Sequence, residues 1–297
     1  MKKLNAMMLI ALLGVITFTG CKDDEETPQA STTKNLNLNL TGLEDLGPDF
    51  KYEGWIIVDG TPVSAGLFTV DAQGTPSQTS FALPIADLEA ATKYVLTIEP
   101  SPDNDPAPSK VHILAGDFSG SNATLTVGDD AALGTDFSDA AGTFILATPT
   151  DDDTSNEASG VWFLDPAAGP GAGLTIPTLP EGWAYEGWAV IDGTPVSTGT
   201  FTTAAGADAS GVFSGSNMAP PFPGEDFLVN APDGLTFPTD LHGAAIVISV
   251  EPVPDNSPAP FLLKPIVHMV PATAPTHSAI TMHNNSASTN PTGSATR

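Results

Sequence analysis

One fifteen-residue string is written twice in this chain, and no other feature limits its fold as much. Tyr52–Gly66 reads Tyr-Glu-Gly-Trp-Ile-Ile-Val-Asp-Gly-Thr-Pro-Val-Ser-Ala-Gly. Tyr185–Gly199, 133 residues later, reads Tyr-Glu-Gly-Trp-Ala-Val-Ile-Asp-Gly-Thr-Pro-Val-Ser-Thr-Gly, identical at 11 of 15 positions. A second pair follows in the same order: Glu99–Pro108 and Glu251–Pro260 share the frame Glu-Pro-x-Pro-Asp-Asn-x-Pro-Ala-Pro. Landmarks that recur in order imply a duplicated structural unit.

Within each copy the pattern is that of strands. Leu36, Leu38 and Leu40 alternate with asparagines, which places the leucines on one face of a half-buried strand. Tyr52–Val58 is dense in aromatic and β-branched residues, Asp59-Gly60 punctuates it, and Val63–Val70 resumes it. Asp-Gly between two such runs predicts a hairpin, because its turn needs positive φ. Tyr94–Glu99, Lys110–Leu114 and Ala123–Val127 complete the first copy, and Ile85–Thr92 is its one short helix candidate. In the second copy, 144–147, 161–164, 174–177, 245–251 and 266–270 read as strands, with Ser278–Met282 set parallel to Thr124–Val127. The fold class expected is all-β, two tandem antiparallel β-sandwich domains over 35–140 and 141–283, each with its own core, and a disordered tail over 284–297. The second copy carries 19 extra residues between Gly199 and Glu251, and insertions of this kind map to loops.

Residues 1–20 have the form of a secretory signal: Lys2 and Lys3, an apolar run from Leu4 to Phe18, then Thr19-Gly20. The run is too short to span a bilayer comfortably. Cys21, the single cysteine, stands where a bacterial lipoprotein is acylated, so residues 21–34 read as a lipidated acidic linker whose acyl chains partner the bilayer. Lys22-Asp23-Asp24-Glu25-Glu26 resembles the acidic export signal by which lipoproteins of the Bacteroidetes reach the cell surface. The expected location is the outer membrane, surface-exposed, or otherwise its periplasmic face. With one cysteine no disulfide forms within the chain.

The full chain carries 35 acidic and 9 basic residues, a formal net charge of −26. Nucleic acid is excluded as a partner, since phosphate recognition needs clustered Lys and Arg.

The motif Tyr-x-Gly-Trp-x-x-x-Asp-Gly-x-Pro-Val-Ser-x-Gly, followed by an apolar strand, Glu-Pro and a proline-rich loop, resembles the C-terminal domain of anti-sigma-K factors, over Leu38–Leu114 and again over Leu174–Val270. That resemblance implies an extracytoplasmic all-β module of a regulator. The cytosolic helices that hold a sigma factor in that family have no counterpart here, so no direct sigma-factor contact is expected. The implied role is sensing or protein interaction, with an envelope protein or a surface ligand as partner.

Catalytic patterns are missing from the sequence. His112 and His268 follow the two proline-rich loops, and Glu99 and Glu251 end the strands before them. The pairing suits acid/base work, but no nucleophile accompanies it. The expected role of each glutamate is instead to close its loop by pairing with Lys110 or local amides. No cofactor is implied. Acidic loops are the places where Ca²⁺ would bind: Asp151, Asp152, Asp153, Asn156 and Glu157 first, then Asp103, Asn104 and Asp105, then Asp255 and Asn256. Trp55 and Trp188, flanked by Ile and Val, are expected in the cores. The non-repeated aromatics Trp183, Phe222, Phe227 and Phe237 are the candidates for a ligand-binding face, either for glycan or in an adhesive role.

Overall fold

The alternation of β1 (Thr33–Thr41) sets the geometry of the first half: Leu36, Leu38 and Leu40 point into the core while the residues between them face solvent. Burying each leucine is worth about 1.5–3 kcal/mol. This computed structural model describes residues 31–167, 169–255 and 257–297. Residues 1–20, Cys21 and Asn256 lie outside them. Among the described residues no helix is long and apolar enough to cross a membrane.

The first half continues through β2 (Phe50–Val58), β3 (Thr61–Phe68), β4 (Ser80–Pro84), the short helix α1 (Ile85–Ala90), β5 (Ala91–Pro100), β6 (His112–Ser119) and β7 (Asn122–Thr126). The second half contains β8 (Ala141–Leu146), β9 (Gly160–Trp162), the small β10 (Leu164–Asp165) and β11 (Gly171–Ala172) ladder, and β12 (Leu174–Thr175). After these come β13 (Trp183–Ile191), β14 (Thr194–Phe201), β15 (Gly224–Asp226), β16 (Ala245–Pro252), β17 (Ile266–Met269), β18 (Ile280–Thr281), β19 (His283–Asn284), helix α2 (Ser286–Thr289) and β20 (Thr292–Thr296). The protein is predominantly β, as the sequence implies.

Both copies of the repeated string fold alike. Each forms a hairpin, β2–β3 and β13–β14, turning on Asp59-Gly60 and Asp192-Gly193, all four with positive φ. Each shifts register at the same place, after Gly54 and after Gly187. Tyr52 stacks on Phe68 at 5.5 Å and donates its hydroxyl to the carbonyl of Glu44; Tyr185 stacks on Phe201 at 5.7 Å and donates to Pro177. The strand order β3-β2-β5-β6-β7 recurs as β14-β13-β16-β17-β19. The counterpart of β7 is therefore β19; residues 280–281, within the stretch set parallel to β7 in the sequence, pair instead with β8.

The halves then diverge. The first sheet runs on through β20, β1 and β4 to eight strands, and its ends approach each other, Phe68 of β3 lying 6.2 Å from Phe81 of β4, so that it nearly closes as a barrel. The second half instead places β12-β8-β9-β15 opposite its repeat sheet. Two separately cored sandwiches are not formed. Thr33–Arg297 is one compact unit with a main core running from Leu36 to Ala295 through both halves. The reason lies partly in residues 284–297, which are ordered rather than a loose tail. β20 pairs with β1 on one side and β7 on the other, Ala295 is fully buried, and Gly293 passes so close to Leu40 that a side chain there would clash. Arg297 then donates to the carbonyls of Leu88, Ala91 and Gly120 and lies 4.4 Å from the Phe118 ring centroid.

Candidate binding site

The repeated tryptophans are buried, as expected, but away from the main core. Trp55 packs with Val95, Ala115 and Ala132 in a small separate cluster, while Tyr52 and Ile56 of the same strand face the main core. The strand is thus covered on both faces, and its second face carries a polar network. Trp55 donates its indole N–H to Thr97 Oγ1 at 2.9 Å, Thr97 donates to the Glu99 carboxylate, and Glu99 also accepts the amide of Ser109 at 2.9 Å. Ser64 donates to Glu53 beside it. The second copy reproduces each bond: Trp188 to Ser249 at 2.8 Å, Ser249 to Glu251, the Phe261 amide to Glu251 at 2.9 Å, and Ser197 to Glu186. In each copy the indole occupies a hydroxyl lone pair, so the hydroxyl's own proton is free to serve the carboxylate. The carboxylate in turn ties the end of the proline-rich loop to its strand by a charge-assisted bond. Pairing with local amides, rather than with Lys110, is therefore what closes these loops.

Electrostatically the copies differ. Across the β2–β5 ladder Lys51 stands opposite Glu99; at the equivalent place in the second copy Ala184 stands opposite Glu251. Lys51 lines a pocket of about 360 Å³ together with Glu53 and Asp103. Burial and then the nearby Asp255 push Glu186 up to about 6. Burial, reinforced by Asp255 and Glu186, pushes Glu251 up to about 7. Glu53 is also raised, chiefly by burial.

Between the two proline-rich loops lies a cleft of about 640 Å³, the candidate binding site. Leu46, Phe50, Ile98 and Val111 from the first half and Val253 and Phe261 from the second form its apolar walls; Glu44, Asp45, Asp49 and Asp255 form an acidic rim with Lys110. The halves meet tightly around it. Lys110 pairs with Glu181 at 3.5 Å, and a side chain at Gly182 would run into the backbone of Lys110. Burial raises Glu44 to about 7 against the opposing field of Lys264 and the amide of Leu262.

The residues singled out in the sequence fall elsewhere. Phe227 is wholly buried and forms an aromatic cluster with Phe213 and Phe237, rings 5.5–6.1 Å apart. Phe222 packs against the small cluster of Ile145, Ala147, Trp162 and Leu164, and Trp183 is buried 6.0 Å from Phe261. These four rings form no common exposed face, because the insertion folds its aromatics beneath itself. The acidic tip does not converge either. Asp151 accepts from Asn156 at 2.7 Å, Asp153 caps Ser155, and Glu157 takes the amide of Thr148 and lies 3.1 Å from His277. His112 and His268 are not equivalent: His112 pairs with Thr97, whereas His268 pairs with Ile246, the counterpart of Tyr94. His112 bonds the carbonyl of Ala131 rather than Glu99, and His268 packs against Phe144 and His283.

Sequence reasoning missed the acids within the insertion. Asp226 accepts from Trp162 at 2.6 Å and from Thr150; Glu225 accepts from Ser210 and Ser214; and Asp208 accepts the amide of Gly224 at 2.8 Å. Together they stitch the added segment to β9. The Glu225-Asp226 pair beside Phe227 was the available signal, since acids adjoining a buried phenylalanine need donors.

The described chain is predominantly β. Residues 27–113, which contain the first copy of the motif, match the family described as Anti-sigma-K factor rskA, C-terminal. No curated protein and no solved structure matches the chain.

Proposed function

We propose that the chain is a lipid-anchored extracytoplasmic protein, acylated at Cys21, whose two copies of the anti-sigma-K C-terminal type of module act in sensing or protein interaction. The partner is an envelope protein that inserts an apolar segment flanked by basic residues into the cleft between the copies. Contact with a sigma factor is then indirect. The cleft carries this reading: its walls are apolar, its rim is acidic, and it has the size of an ordinary binding pocket. The family match on the first copy and the repeated hairpin geometry support the tandem description.

A photoreactive residue at Val253, half exposed on the cleft wall, is expected to crosslink one envelope protein in intact cells. Glu44→Gln/Asp45→Asn in the same chain should weaken that capture. A photoreactive residue at Met218, 92% exposed and outside the cleft lining, serves as the control. Capture through Met218 and not through Val253 would move the binding face to the insertion and sink the proposal.

A further inference from the structure

We infer that the second copy contains a divalent-cation site, of the Ca²⁺ class, formed by Glu186, Glu251 and Asp255. The site shares Asp255 with the rim of the cleft, and the inference rests on four observations.

One carboxylate oxygen from each of these residues lies within 4.8 Å of those of the other two. Oxygens that close together can all reach one Ca²⁺ ion at its usual bond length of about 2.4 Å. Next, Glu186 is only 6% exposed, yet its Oε2 is buried with no hydrogen-bond partner; Ser197 occupies the other oxygen. A buried carboxylate oxygen left unpaired is costly unless something positive meets it. Thirdly, donors hold the site from behind. Ser249, set by Trp188, and the amide of Phe261 fix Glu251, which is 1% exposed, so that ligand orientation is established before an ion arrives.

The fourth observation is the contrast with the first copy. There Glu53, Glu99 and Asp103 occupy the equivalent positions, but Lys51 lines the pocket beside them; in the second copy that lysine is Ala184. Lys264 is the basic group whose field reaches Glu251, and among the described residues it forms no ion pair with any of the three acids. An all-oxygen, all-anionic donor set selects a hard cation, with backbone carbonyls and water completing six to eight ligands.

The test is calorimetric titration of CaCl₂ into the chelator-treated full chain at neutral pH, with MgCl₂ as a second arm. One saturable Ca²⁺ site is expected, with at least tenfold weaker Mg²⁺ binding. Asp255→Asn, at an exposed loop position, should weaken Ca²⁺ at least tenfold, and Ala184→Lys should abolish binding by restoring the cation of the first copy. Circular dichroism melts confirm that both variants are folded. No saturable heat in the unaltered chain, unchanged affinity in Asp255→Asn, or preference for Mg²⁺ would each overturn the assignment.

Discussion

The two copies of the Tyr-Glu-Gly-Trp hairpin share a register shift, a tyrosine hydroxyl bonded eight residues upstream and an indole–hydroxyl–carboxylate relay, yet they complete their sheets in different ways. The first extends through β20, β1 and β4 into a nearly closed barrel; the second stops at β19 and faces a separate sheet. What was kept is the local chemistry that fixes a hairpin and ties down a loop. What changed is the set of strands recruited around it, together with the residue directly across the ladder from the loop-closing glutamate, Lys51 against Ala184.

The sharpest way to break this comparison is to remove residues 292–297. The first half should then lose β1–β20–β7 pairing, with amide exchange in β1 and β7 rising at least about 100-fold while β13 and β16 stay protected. Equal loss in both halves would mean that the copies do not differ in this dependence. Next come Trp55→Ala and Trp188→Ala. Each should cost about 3–5 kcal/mol in urea denaturation, and a much smaller cost at either position would show that the relay is not equivalent in the two copies.

A smaller effect comes from pH. Asp208, in the insertion, is raised from 3.8 to about 7, mainly by burial. Between those values the folded chain holds a proton that the unfolded chain releases, so this group's stabilisation is full below pH 3.8 and is lost as pH rises toward 7. Calorimetry at pH 5 and 7.5 should show the higher melting temperature at pH 5, at about 2–4 °C for each kcal/mol. Asp208→Asn should remove this group's share of that slope, leaving the shares of Glu44, Glu186 and Glu251, which burial also raises. The smallest change is expected from Asp153→Ser on the exposed acidic tip, which should move neither the melting temperature nor the Ca²⁺ titration.

Much of this was legible in the sequence because the signals were local. Asp59-Gly60 and Asp192-Gly193 announce their turns, the leucine alternation marks β1, and the repeated Glu-Pro points to loop closure. The undivided core was not legible, since β20 is Thr-Gly-Ser-Ala-Thr, a polar string with one inward alanine and no hydrophobic run to mark it as a strand. The trio of acids was hidden for a related reason: Glu186 lies 65 positions before Glu251, and only antiparallel pairing of β13 with β16 brings them together. The insertion misled because Phe222, Phe227 and Phe237 read as a display surface, whereas Phe227 and Phe237 pack with Phe213 into a cluster of their own.

The position of β20 also bears on how the molecule comes into being. A strand that slots between β1 and β7 is separated from β7 by more than 160 residues of intervening chain. A ribosome delivering this protein from its amino end therefore releases an open-edged sheet long before its clasp is made. Until β20 arrives, those edges are open to pairing with a neighbour's, so the interval before the last strand is made is when this sheet is most exposed to association.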